Sequence, residues 1–362
     1  MPVMEAFCRY YHAKGYRVIL LTSRTMSSFA RMTHWFDIVL EADQRDLEKS
    51  AEMRMTLYKI LHLIPTEVFI SLLEFSRWTC NDNLAYISNA KMKYGIRHLW
   101  PLPAHLDFSY KRGISFYDKM EVMSRDMNLA QVERNLLESI SGEHVRECWE
   151  DLFFLPENIR NQEFIQGPYY IVVPGASQQA KYWETEKFAA LIDGIAQIKP
   201  DLTTVFCGIE GEKTLGETIR SQCKIQTHFV NLCGKTNIPD LFVLLKKADF
   251  VISNDTGQSH IAALIKKKTY CITGSGHYGI YHPCPFYTTV TCFSAEKMPC
   301  FQCAGSCFNP EYVKGKPFPC ISRITAEQVL NKIVFDLKQQ NHIESKENQP
   351  SGSLSGMTRN SA

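Results

Sequence analysis

Three short stretches in the second half of the chain hold the residue types that a phosphorylated ligand needs. "VVPGASQQAK" leaves an apolar run through small residues and places Lys181 four positions after Ser177. "FCGIEGE" leaves a second apolar run and sets Glu212 four residues past Gly208. "VISNDTGQSHIAAL" leaves a third and brings Asp255, Thr256, Gly257 and His260 into one turn and the helix after it. A helix that begins at Thr256–Gly257 offers unpaired N–H groups and a positive dipole end to a diphosphate. Small residues let the phosphates close, His260 can donate a further hydrogen bond, and Lys181 supplies a point charge. Glu212, a carboxylate beyond a strand end, can accept from both hydroxyls of a ribose. Asp255 repels phosphate, so it suits organising the turn or meeting a sugar hydroxyl. Each residue also has a plain structural reading: Asp255 or Thr256 caps the helix, His260 packs, and Lys181 is solvated.

A fourth stretch, "CFQCAGSCFNPEYVKGKPFPC", places Cys300, Cys303, Cys307 and Cys320 where four thiolates could hold a structural zinc. The competing reading is a loop of reduced cysteines packed on its neighbours. Thirteen cysteines, an odd number with no export signal, suit a reducing cytoplasm.

These stretches need strands to end where they begin. "YYIVV", "LTTVF", "DFVIS" and "TYCIT" read as strands, each separated from the next by a helical pattern. Phe188, Leu191, Ile192, Ile195 and Ile198, for instance, share one helical face. The first half repeats the alternation. A helix over Val3–Lys14 precedes "RVILLT", "FDIVLEAD" and "EVFISLLEF", with "RDLEKSAEMRMTLYKIL" as one helix between. Residues 101–120 read as a loop and "MNLAQVERNLLESI" as a helix. Thr325 and Gln328 form a capping-box pattern ahead of the last helix. Two successive β/α series predict an α/β protein of two Rossmann-like domains facing across a cleft.

The totals agree with a soluble globular chain of that size. The 362 residues are 45% apolar and 22% charged, and 40 basic against 38 acidic side chains leave a formal charge of +2. That balance gives no general electrostatic case for nucleic acid. No apolar run is long enough to span a membrane. No G-x-G-x-x-G follows a strand, which argues against a dinucleotide enzyme.

In order and spacing, "PGASQQAKYW…KFAALI", "FCGIEGEK" and "LCGKTNIPDLFVLLKKADFVISNDTGQSHIAAL" resemble glycosyltransferase family 9, the lipopolysaccharide heptosyltransferases, from about Tyr169 to Ile333. The resemblance implies a GT-B fold. Residues 1–160 would be the acceptor-side domain, 165–338 the nucleotide-sugar domain, and 340–362 a disordered tail. Ser177, Lys181, Thr256, Gly257 and His260 would hold the donor diphosphate, Glu212 the ribose, and Asp255 would be a further donor-site residue. The sequence departs from the family at Gln178–Gln179 and at Gln258, neither of which removes a donor-site group.

The activity implied is an inverting, metal-independent transfer of heptose or a similar sugar to a lipopolysaccharide-core or other surface glycan acceptor. No Asp-x-Asp occurs in the chain. The family's catalytic base lies in a Gly-Asp pair after the first strand. Pro2 and "VMEAFCRYYHAKGYRV" resemble the helix and strand that follow that pair, so the base is expected upstream of Met1 and the catalytic residue is unknown. A non-catalytic nucleotide-sugar-binding or scaffold relative is the alternative. The resemblance also implies a cytoplasmic protein. A lipid-linked acceptor would favour peripheral contact with the inner membrane, for which Lys266, Lys267 and Lys268 are candidates, though a lysine run is commonly a solvated face.

Overall fold

The computed structural model describes residues 3–72, 81–98, 116–124, 126–145, 165–225, 227–295, 298–303 and 307–347. In the first half these form α1 (Met4–Ala13), β1 (Ile19–Thr22), α2 (Arg24–Thr33), β2 (Ile38–Glu41), α3 (Gln44–Lys49), α4 (Ala51–Leu63), β3 (Val68–Ser71), α5 (Asn81–Ile87), β4 (Met92–His98), β5 (Lys119–Met123) and α6 (Leu129–Ser141). The second half continues with β6 (Tyr169–Val173), α7 (Thr185–Ile198), β7 (Thr203–Phe206), α8 (Lys213–Gln222), β8 (Phe229–Asn231), α9 (Ile238–Lys247), β9 (Val251–Asn254), α10 (Gly257–Leu264), β10 (Thr269–Ile272), β11 (Val290–Phe293), α11 (Pro319–Ser322) and α12 (Ala326–Glu347).

β6 to β11 make one all-parallel sheet in the order β11-β10-β9-β6-β7-β8. Counted from its own first strand, this is the doubly wound order whose direction reverses between β6 and β9. Both faces are covered, and the strands alternate between two cores. Tyr169, Ile171, Val173 and Val251 point into one core, with Leu241 and Leu245 of α9 and Ile261 and Leu264 of α10. Tyr170, Val172 and Ile252 point into the other, with Leu191 and Ile195 of α7 and Val329 and Ile333 of α12. That is the period of two expected of strands buried on both sides.

The first-half strands lie in two parallel sheets, β1-β2 and β3-β4-β5. Phe7 and Tyr11 of α1, with Val132 and Leu136 of α6, join the first of the two cores, so the halves share apolar contact. Asn128 caps α6 by accepting from Ala130 N at 3.0 Å, and its Nδ2 donates to Gly279 O at 3.0 Å in the loop after β10.

The structure departs from the sequence expectations in several elements. The helix expected across residues 45–61 breaks at Ser50, whose hydroxyl accepts from Met53 N at 3.2 Å and starts α4 afresh. β4, β5, β8 and β11 had not been anticipated, and Lys119–Met120 of the expected loop belong to β5. Residues 101–115 of that loop fall outside the described residues. α12 continues to Glu347, past the point where the chain turns polar, through a stretch (QNHIESKE) that holds no Gly or Pro. Residues 348–362 of the expected tail lie outside the described residues.

Candidate functional site

Ligands of open α/β sheets bind beyond the carboxyl ends of the strands where the strand order reverses. Here that point lies between β6 and β9, so two of the sequence stretches, Pro174–Lys181 and Asp255–His260, become neighbours. Asn254, fully buried at the end of β9, binds them together. Its Nδ2 donates to Pro174 O at 2.6 Å and more weakly to Gly175 O at 3.4 Å, while its Oδ1 accepts from Trp183 N at 3.3 Å. The Trp183 ring is buried edge-on against Phe188, and its indole N–H donates to Ile324 O at 2.9 Å. Ala180 O accepts from Phe318 N at 2.7 Å. Lys181, at the end of a short 3-10 turn, is therefore carried by a loop fixed on both sides.

The turn after β9 is built by reciprocal capping. Thr256 Oγ1 accepts from Ser259 N at 3.4 Å, and Ser259 Oγ accepts from Thr256 N at 3.3 Å. Thr256, rather than Asp255, is thus the N-cap of α10. A Cβ placed on Gly257 would meet nothing within 4 Å, so a ligand can approach this backbone closely. Ser259 Oγ donates to Thr256 O at 2.7 Å and lies 3.1 Å from His282 Nε2. With its one proton so committed, the hydroxyl accepts from His282, which fixes the Nε2–H tautomer and leaves the buried Nδ1 without a partner among the described residues.

His260 lies flat on His282, ring centroids 3.9 Å apart and planes within 6°, with its Nε2 3.6 Å from Asp255 Oδ1. Burial alone would raise the Asp255 carboxyl. The His260 imidazole beside it, with charge from His282 and Lys181, outweighs that and holds it well below the usual carboxylate range. His282 is pushed down to about 3, first by burial and then by His260.

Glu212 sits on the other side of the β6 loop. Its Oε2 accepts from Ile209 N at 3.0 Å, and burial raises its carboxyl. A Cβ on Gly175 would fall 1.8 Å from Glu212 Oε1, and one on Gly208 2.2 Å from Oε2, so a side chain at either position would displace the Glu212 carboxylate from its present place.

A cleft opens beside the β9 turn. Lys181 and Asp255 line it with the Gly274–His277 segment after β10, and Cys300, Cys303, Cys307 and Cys320 form another part of its wall. The structure thus sets Lys181 and Asp255 on one cleft, keeps Thr256, Gly257 and His260 in the turn and first helical residues that follow Asp255, sets Glu212 against Gly175, and leaves Ser177 exposed on the β6 loop. The residues that sequence reasoning missed are Asn254, His277 and His282. Each ends a strand or follows a glycine in the loop after one, and that placement was the available signal.

The four cysteines share the wall without converging. Among the described residues, only Asp255, His260 and His282 form a group of three or more potential metal ligands whose ligand atoms all lie within 4.8 Å of one another. Their geometry does not suit an ion either. Ring-nitrogen lone pairs lie in the ring plane, and those of two parallel stacked imidazoles cannot meet at one metal. The zinc expected of the cysteine loop is therefore not supported by the arrangement of its sulfurs.

The sequence pattern of glycosyltransferase family 9 (heptosyltransferase) matches residues 106–308, more than half of the chain. The chain belongs to glycosyltransferase family 9. Its likeness to individual members is partial. It is 27% identical over 141 residues to lipopolysaccharide heptosyltransferase 3 of Escherichia coli K12, a stretch that is 39% of each chain. It is 35% identical over 121 residues to lipooligosaccharide heptosyltransferase 2 of Campylobacter jejuni, covering 33% of this chain and 36% of that one. The matched stretches thus span well under half the length of these relatives.

In three dimensions the similarity is broader. The E. coli ADP-heptose lps heptosyltransferase II structure superposes with a TM-score of 0.64 at 14% identity, covering 94% of this chain and 96% of that one. E. coli heptosyltransferase WaaC with ADP gives 0.63 at 15%, covering 94% and 95%. At such identities the likeness establishes the fold, which is GT-B. The family 9 chain has, among its described residues, no helix long and apolar enough to cross a membrane.

Proposed function

We propose that this family 9 chain is a heptosyltransferase. It takes heptose from ADP-heptose and adds it to a lipopolysaccharide-core acceptor, with residues 165–338 binding the donor and 1–160 facing the acceptor. The observation that carries the reading is that Lys181 and Asp255, from the loops after β6 and β9 at the reversal point of the sheet, line one cleft. The names of the relatives and the ADP of the WaaC structure favour this sugar and this base.

In the proposed reaction an acceptor hydroxyl attacks the anomeric carbon from the face opposite the diphosphate. The bond from that carbon to the diphosphate oxygen breaks, and the anomeric centre inverts. A base takes the acceptor's proton. Charge develops on the leaving ADP, where Lys181 and the N–H groups of Gly257 and Gln258 stabilise it without rearranging and without a metal. Glu212 holds the ribose, and Asp255 orients His260. A lipid-linked acceptor would bring the protein to the cytoplasmic membrane face.

The test is transfer from ADP-heptose to heptose-deficient lipopolysaccharide, followed by the mass of the acceptor. Addition of one heptose is expected. Failure of ADP-, UDP- and GDP-sugars alike to donate would overturn the reading.

A further inference from the structure

Within the donor cleft one charge balance is left open. Lys181 contributes one positive charge and Asp255 one negative, so the side chains that the family resemblance points to leave a doubly ionised diphosphate facing little more than a helix end. A second cation would complete the site, and the structure holds a candidate that the sequence reading did not use.

His277 closes the short 3-10 turn Ser275–His277 at the carboxyl end of β10. β10 pairs with β9 in a register that sets Ile272 opposite Asn254, so this turn lies next to the one that starts α10. Ser275 Oγ donates to Ala295 O at 3.0 Å, and Ser275 O accepts from Gln302 N at 2.8 Å. The His277 carbonyl accepts from Ile280 N at 3.0 Å, and the His277 ring centroid lies 5.7 Å from that of Tyr281. The imidazole is thus held on a fixed backbone in the wall of the cleft that Lys181 and Asp255 also line.

We propose that His277 is the second cationic contact of the donor diphosphate, and that it takes up a proton when the nucleotide sugar binds. The inference rests on the donor-site reading above.

With only protein groups around it, burial and the neighbouring Lys181 push His277 down to about 4, while Asp255 pulls the other way. It is therefore neutral at physiological pH until a ligand arrives. Two negative charges entering a partly desolvated cleft reverse that preference. The other titratable groups facing it are Lys181 and Asp255 from the β6 and β9 loops and Tyr281 from its own loop. Across the cleft stand the thiols of Cys300, Cys303, Cys307 and Cys320, and behind Asp255 lie His260 and His282. Of these, His277 is the histidine that lines the cleft itself.

The experiment is calorimetric titration of the full chain with ADP-glucose, UDP-glucose and GDP-mannose, whose diphosphates stay doubly ionised throughout. It is run at pH 6, 7 and 8, in two buffers of different ionisation enthalpy at each pH. Binding that takes up a proton weakens as pH rises, by up to about tenfold per pH unit at full coupling, and its heat depends on the buffer. His277→Gln and His277→Asn, each checked by melting temperature, are expected to weaken binding at pH 6 by about tenfold and to abolish both dependences; a surviving cation of this kind changes affinity by that order. Buffer-independent heat in the wild type, or variants that keep its affinity and pH slope, would overturn the proposal while leaving the donor site standing. Absence of binding by every nucleotide sugar would instead remove the donor-site reading on which it rests.

Discussion

Asn254 gives the sharpest test of how the cleft is held together. The side chain is fully buried, and it donates to one loop while accepting from the same loop further on. Asn254→Ala leaves the Pro174 carbonyl and the Trp183 N–H buried without partners. Each orphaned group costs about 1–3 kcal/mol, so the loss is about 2–6 kcal/mol. At roughly 2–4 °C per kcal/mol the melting temperature falls by about 4–24 °C. Asn254→Asp has nearly the same shape but no N–H, and it directs a carboxylate oxygen at two carbonyls. It is therefore expected to be at least as damaging as alanine at pH 7, and to recover partly in acid, where a protonated carboxyl can donate. Urea unfolding with a constant m-value measures both. An aspartate variant as stable as wild type, or an alanine variant within about 1 kcal/mol of it, would refute the bridging role.

Three further outcomes follow from the same geometry. Gly175→Ala places a Cβ within 1.8 Å of Glu212 Oε1 and must displace that carboxylate. Donor binding is expected to fall by about tenfold, the scale of one lost charge-assisted hydrogen bond, while Glu212→Gln alone changes the melting temperature little; calorimetry and melting separate the two. Thr256→Ala removes the cap of α10 and costs about 1 kcal/mol, whereas Thr256→Ser retains most of it, as denaturant midpoints will show. His282 is held down to about 3 in the folded chain, below its unfolded value, so the unfolded state binds the extra proton. Its contribution is complete above pH of about 6.5 and is lost toward about 3 as pH falls, at a slope near 1.4 kcal/mol per unit. His282→Asn should flatten the stability–pH curve by about that one proton between roughly pH 4 and 6.

The second half was legible because its strands are apolar runs that end in glycine, small or capping residues, and because β6 and β9 are buried on both faces. β8 was hidden by its length of three residues, and β4 and β5 by polar residues that break their apolar pattern. The break at Ser50 was missed because the helical pattern is apolar on either side of it, and only the Met53 hydrogen bond marks a new start. Asn254 reads in sequence as an ordinary turn residue. Its work depends on Pro174 and Trp183, brought 70 to 80 positions closer by the β6–β9 pairing. The cysteines show the converse. Their spacing suggested a shared metal; in the fold all four line one cleft, but among the described residues no three of their sulfurs lie within 4.8 Å of one another, and spacing does not determine where the sulfurs point.

The central claim is that Lys181 and the turn at Thr256 form a nucleoside-diphosphate site. Calorimetric titration of the full chain with ADP, beside Lys181→Ala, tests it most directly. The account predicts saturable binding that Lys181→Ala weakens by at least about tenfold, the scale of one charge-assisted contact. ADP binding that is indifferent to Lys181, or no binding at all, would contradict it.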